Sequence, residues 1–112
     1  MGAGRDYRVV LVGTAHGADR SGLDQHLDQV MEELLQLQAT DPSVDVEFST
    51  ATVRVAVSVV ANNPLEATDA ASSFIRAAIH AAGGATPDWP SPDDPTWAVE
   101  LTGVETGQLV NT

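Results

Sequence analysis

The chain has 112 residues, which is room for one domain, and it contains no cysteine. The missing thiols exclude a disulfide framework, thiolate metal sites and a cysteine nucleophile. Sixteen acidic residues against five arginines leave a net charge of −11, which repels nucleic acid and anionic membranes. No apolar run reaches the roughly 18 residues of a membrane helix, and the start of the chain lacks signal-peptide features. We therefore expect an acidic, cytoplasmic domain spanning residues 1–112, with no nucleic-acid or membrane partner.

The basic residues are all arginine, and alanine, valine, aspartate and glycine are abundant. This bias favours a GC-rich genome, such as that of a high-GC bacterium or one of its phages. Halophilic adaptation is the alternative explanation, since a negative surface without lysine also fits that class.

The first half of the chain predicts a strand and an amphipathic helix. Four consecutive apolar residues within 7–13 are typical of a strand covered on both faces. Asp19 or Ser21 can then cap a helix, and Asp41-Pro42 is expected to end it, giving a helix near 22–39. Its apolar residues recur at steps of three and four: Leu23, Leu27, Val30, Met31, Leu34 and Leu37.

A hairpin and a second helix are expected next. Apolar and other residues alternate in 44–48 and again in 53–60, which predicts two strands joined by a short turn. Asn63-Pro64 combines a capping side chain with a proline in the first helical turn, so a helix is expected over 64–82. Gly83-Gly84 is expected to end that helix in a left-handed conformation.

The last part of the chain predicts a long loop and one more strand. Residues 84–95 are rich in proline and aspartate and show no periodicity. Alternation returns in 96–102, with Trp97 on the apolar side. The segments 1–6 and 105–112 are weakly patterned and are expected to fray.

The resulting β-α-β-β-α-β order resembles the ferredoxin-like sandwich, an α+β fold. That resemblance implies two helices on one face of a four-stranded antiparallel sheet, with the first and third strands central. A Rossmann arrangement is the alternative, but parallel neighbours need a crossover of a dozen or more residues, and the predicted hairpin has none. The resemblance implies no activity, because this fold supports many functions.

The uncovered face of such a sheet is the candidate binding surface. Val10, Val12 and Ala56 are expected at its apolar centre, with Arg54 among the charged residues around them. A small apolar centre with a charged rim is typical of an association surface. We expect a homodimer formed face to face, and the alternative is that a few exposed valines have no role.

Trp89, in the loop, is the other candidate binding residue. A large indole gains little from full exposure, so it is expected to fold back over the end of the second helix. The alternative is that Trp89 is an anchor for a partner.

No motif points to catalysis. The segment 13–17 lies between a strand and a helix, where phosphates are often bound, but it has neither a P-loop lysine nor a G-x-G-x-x-G spacing. Asp24 and Asp28 share a helix face that excludes His26, so no metal site is expected. His80 is expected to be protonated at the negative end of the second helix.

We therefore expect a non-catalytic binding or assembly module without a cofactor, which self-associates and contacts a protein or a small ligand. The alternative is a small ferredoxin-like enzyme or regulatory domain. Such a domain would bind a small molecule at the sheet face or in a dimer groove.

Overall fold

The computed structural model describes residues 4–17, 19–86 and 97–109. The protein is α+β, with two helices and a five-stranded mixed sheet, and the predicted α+β class is confirmed. Its elements are β1 (Arg5–His16), α1 (Arg20–Gln36), β2 (Thr40–Glu47), β3 (Thr52–Ala61), α2 (Pro64–Ala81), β4 (Gly84–Ala85) and β5 (Trp97–Gln108). Within the described part, neither helix is both long and apolar enough to cross a membrane.

The strands lie in the order β2-β3-β1-β5-β4. The first four are antiparallel to their neighbours, whereas β4 pairs parallel to the start of β5. The predicted sheet of four antiparallel strands was therefore incomplete, and part of the predicted 84–95 loop is a strand. Two residues are too few to produce the alternation by which a strand is recognised in a sequence.

Both helices pack on one face of the sheet. The core contains Tyr7, Val9 and Leu11 of β1 together with alternate valines of β3. The helices add leucines from α1 and a stripe rich in alanine from α2: Leu23, Leu27, Val30, Leu34, Ala67, Ala71, Ile75, Ala78 and Ile79. Because side chains alternate along a strand, the even-numbered residues of β1 and β3 face away from the helices.

Both helices begin at predicted capping residues, although α1 starts at Arg20 rather than near residue 22. The Asp19 side chain accepts a hydrogen bond from the Gly22 backbone N–H at 2.7 Å. Asn63 accepts one from the Glu66 N–H at 2.9 Å, and its amide donates to the Glu66 carboxylate at 3.1 Å. These bonds satisfy N–H groups that the first turn of a helix leaves unpaired.

The predicted end of α1 was wrong. The helix ends at Gln36, and Gln38 adopts a left-handed conformation with φ 62°. Asp41 and Pro42 instead lie within β2, where the pairing with β3 shifts register between Thr40 and Ser43. Proline is tolerated there because β2 is an edge strand and the irregularity leaves its nitrogen without a ladder bond to make.

Two strands are longer than the sequence pattern predicts. β1 continues to His16, and β5 continues to Gln108, which pairs with Tyr7. Residues 105–108 are therefore paired rather than frayed, and so are Arg5 and Asp6, which pair with β3. Gly103 and Gly107 have open space where a side chain would lie, so packing imposes no apolar alternation on this end of β5.

Candidate functional site

The face of the sheet opposite the helices, called here the outer face, brings four of the five predicted binding residues together. Val10 and Val12 of β1 are half-buried, and Arg54 of β3 is exposed beside them. Ala56 is only 5% exposed, because it lies between Val10 on β1 and Ser43 on β2. The fifth residue, Trp89, lies outside the described residues.

An ion pair crosses the middle of the outer face. The guanidinium of Arg54, on β3, lies 3.0 Å from the carboxylate of Glu105, on β5. Because β1 lies between these two strands, the pair passes over β1 where Arg54 is opposite Val12 and Glu105 is opposite Val10. The centre of the face is therefore apolar at its floor and charged above it.

A second arginine lies along the other half of the outer face. Arg8 donates hydrogen bonds to the hydroxyls of Ser58 at 3.1 Å and Ser43 at 3.0 Å. It also donates to the backbone carbonyl of Asp41, whose carboxylate is 3.6 Å away. Arg8 thus links β1 to β3 and β2, and its stem covers part of the sheet that no helix covers.

The outer face is also charged near the C-terminal end of β1. His16 Nε2 lies 3.8 Å from the Glu100 carboxylate, and both side chains are exposed. Asp45 of β2 is opposite Arg54, so the arginine has carboxylates on both sides. The sequence pattern placed Arg54 among the charged residues at the rim but did not pair it with Glu105, because the two residues are far apart in the chain and no spacing signals their contact.

The segment 13–17 is not a phosphate loop. Gly13 to His16 belong to β1 and pair with β5, and Gly13 and Thr14 also pair with β3. A Cβ on Gly13 would lie 2.6 Å from Val99 Cγ1, so glycine is required there by close packing against β5. Backbone N–H groups that are committed to strand pairing are not available to cradle an anion.

Two histidines contact other side chains. The His26 ring stacks on Trp97. Burial lowers the pKa of His80 below its ordinary value, and the positive charge of Arg76 lowers it further. This lowered pKa opposes the protonated state expected of His80, and the Nε2 of His80 lies 2.9 Å from the hydroxyl of the fully buried Thr86. Over residues 4–17, 19–86 and 97–109, no three His, Asp or Glu side chains form a metal-binding group.

A cleft of about 290 Å³ lies on the helix side, between α2 and β5. Its apolar wall consists of Leu11, Leu101 and Val104, and its polar wall consists of three α2 residues, Thr68, Ser72 and Arg76. A wider cleft of about 570 Å³ lies at the start of α1, where the guanidinium of Arg20 is 4.6 Å from the centre of the Phe48 ring. Neither cleft lies on the outer face.

No protein-family model, curated protein or solved structure matches the chain. The function is therefore inferred from the geometry of the outer face and the two clefts.

Proposed function

We propose that this protein is a non-catalytic assembly module that forms a homodimer through its outer face. The strand order β2-β3-β1-β5 and the placement of both helices on one side support a ferredoxin-like sandwich with β4 added at one edge. In this arrangement the outer face is not covered by the chain's own helices and is available to a second copy. A cytoplasmic location and an origin in a GC-rich genome stay predictions.

The Arg54–Glu105 pair carries the proposal, because its position makes the outer face complementary to itself. A dimer with two-fold symmetry uses the same surface on both copies. A two-fold axis that runs along β1 lays β3 of one copy over β5 of the other. Arg54 then lies over β5 of the partner subunit at the level of Gly103, two residues from Glu105, and its long side chain can extend to that carboxylate. The same contact is repeated on the other side of the axis.

The residues along that axis also suit self-contact. Val10 and Val12 form the apolar floor beneath the ion pairs of the two copies, so association removes their remaining exposed surface from water. On either side, Ala56 and Gly103 project little or nothing above the sheet. Two flat sheet faces of this kind can approach to the roughly 10 Å at which sheets stack.

The size of the outer face is adequate for a specific dimer. Four strands about 4.8 Å apart and about 33 Å long present roughly 600 Å² in projection. Standard interfaces bury about 800 Å² per partner, so the outer face has the size of a modest stable interface. The net charge of −11 opposes association, and we expect salt to strengthen the dimer by screening it.

The test is the molar mass of charge-reversal variants by analytical ultracentrifugation, from low micromolar to high micromolar concentration. We expect a dimer for the unchanged protein. Arg54→Glu is expected to yield monomers, since it places two glutamates opposite each other at both contacts. The double variant Arg54→Glu with Glu105→Arg restores opposite charges and is expected to restore the dimer.

Two further variants separate the dimer contact from folding. Val12→Asp is expected to give a folded monomer, whereas Leu65→Asp is expected to remain a dimer, because Leu65 is 72% exposed on α2 and away from the outer face. Thermal unfolding checks that each variant is folded. A monomeric unchanged protein at high micromolar concentration would overturn the proposal.

A further inference from the structure

Among the described residues, β5 has a neighbouring strand along only a short part of one edge. β4 pairs only with Trp97 and Ala98 at the start of β5. From Val99 to Gln108, no other strand among the described residues lies on the side of β5 that faces away from β1. An open edge with unpaired backbone groups is a template for a further strand.

The backbone direction shows which residues of β5 can pair at this edge. The Leu109 N–H donates to the Asp6 carbonyl on the β1 side, at 2.8 Å. Backbone groups alternate in direction along a strand, so Glu105 and Gly107 also point toward β1. Val104, Thr106 and Gln108 therefore direct their N–H and C=O groups to the open edge.

The cleft between α2 and β5 lies beside the same residues. Val104 pairs with the core residue Leu11, so its side chain lies on the helix side of the sheet. Yet Val104 is 50% exposed, because α2 leaves the cleft of about 290 Å³ next to it. A strand added at this edge would place every second side chain on the helix side, beside Val104 and Leu101.

The charge on the other side of β5 indicates the chemistry of that strand. Glu100 and Glu105 are exposed on the outer face of β5, and the chain as a whole is strongly acidic. The alternate side chains of an added strand would lie on the same face, where basic residues can share these carboxylates with Arg54 and His16, their partners within the chain. Basic residues fit that position, whereas a second copy of this acidic chain would bring further glutamates to it.

We propose that the edge of β5 binds an extended peptide in which aliphatic and basic residues alternate. The peptide pairs with the backbone of Val104, Thr106 and Gln108, and its aliphatic side chains enter the cleft between α2 and β5. Its basic side chains lie beside Glu100 and Glu105. Main-chain pairing supplies affinity in such strand addition, and the cleft and the carboxylates supply selectivity.

The first test uses two labelled, capped peptides of about eight residues, close to the usual length of a strand. One alternates arginine and valine, and the other has the same composition in two blocks, RRRR followed by VVVV. Fluorescence anisotropy measures binding to the full chain. We expect the alternating peptide to bind at least about tenfold more tightly, since only it can present the two kinds of side chain on opposite faces.

The second test changes the edge itself. Thr106→Pro removes one outward N–H and is expected to weaken binding of the alternating peptide by about tenfold. Thr106→Val is its control, because it also loses the 2.7 Å bond to Thr68 but keeps the N–H. Val104→Lys is expected to weaken binding to a similar extent, whereas Val60→Lys, at a valine that is 69% exposed on β3, is expected to leave it unchanged.

Equal affinity of the two peptides would overturn the proposal, because it would show general attraction to an acidic chain. Unchanged binding in both Thr106→Pro and Val104→Lys would also overturn it. If Thr106→Pro instead converts a dimer of the free protein to monomers, the occupant of the edge is a second copy. That result differs from failure of the outer-face dimer, which depends on Arg54 and not on Thr106.

Discussion

The imidazole of His26 stacks on the indole of Trp97, with ring centroids 4.6 Å apart and ring planes 7° from parallel. Trp97 is 2% exposed, and its indole N–H donates to the Ala82 carbonyl at 3.3 Å. Gly84 lies against the same ring. A single side chain at the start of β5 therefore joins α1, the end of α2 and β4.

Trp97→Ala is expected to lower the free energy of unfolding by about 3–5 kcal/mol, the usual cost of truncating a buried aromatic residue. His26→Ala should cost less, about 0.5–1.5 kcal/mol, because it removes one stacked ring and leaves the indole in its packed position. Urea unfolding followed by circular dichroism measures both. An equal and small effect of the two changes would contradict the joining role of Trp97.

Gly84→Ala is expected to destabilise the fold by about 1–3 kcal/mol through overpacking. A Cβ at this position would lie 2.8 Å from the Trp97 ring and 3.0 Å from Ile79 Cγ2. Gly107→Ala is the matched control, since nothing lies within 4 Å of a Cβ there, and it is expected to leave stability unchanged or slightly raised. Chemical denaturation compares the two, and equal costs would show that contact with Trp97 is not the cause.

His80 is expected to make the protein less stable in mild acid. Its pKa is lowered in the fold, chiefly by burial, so the unfolded chain takes up a proton more readily than the folded chain. The contribution of His80 to the free energy of unfolding is fully present above its ordinary pKa of 6.5. It is lost as pH falls toward the lower pKa that His80 has in the fold. His80→Gln should reduce the fall in melting temperature between pH 7 and 5, and an unchanged fall would contradict this role of His80.

Asn63→Ala is expected to lower the free energy of unfolding by about 1 kcal/mol, because α2 loses the side chain that caps its first turn. Asn63→Asp keeps an acceptor oxygen and should retain most of that stability. Thermal unfolding measures both variants. If the two variants lose the same amount, the bond to the Glu66 N–H does not stabilise the helix.

The sequence alone was sufficient for the elements whose signals are local. The caps at Asp19 and Asn63, the apolar stripes of both helices and the hairpin each depend on residues within a few positions of one another. Helix and turn preferences act over that distance, so they can be read along the chain. The left-handed conformation of Gly83 at the end of α2, with φ 88°, was also predicted from a local signal, the Gly83-Gly84 pair.

The surfaces on which the proposals depend are determined by tertiary contacts. Val10, Val12, Arg54 and Ala56 were assigned to one face from alternation, but the pairing of Arg54 with Glu105 joins residues 51 positions apart. The stack of His26 on Trp97 and the open edge beyond β4 likewise follow from strand order. Strand pairing depends on contacts between residues that are distant in sequence. The residues next to a position in the chain therefore do not indicate which residue will lie beside it on the neighbouring strand.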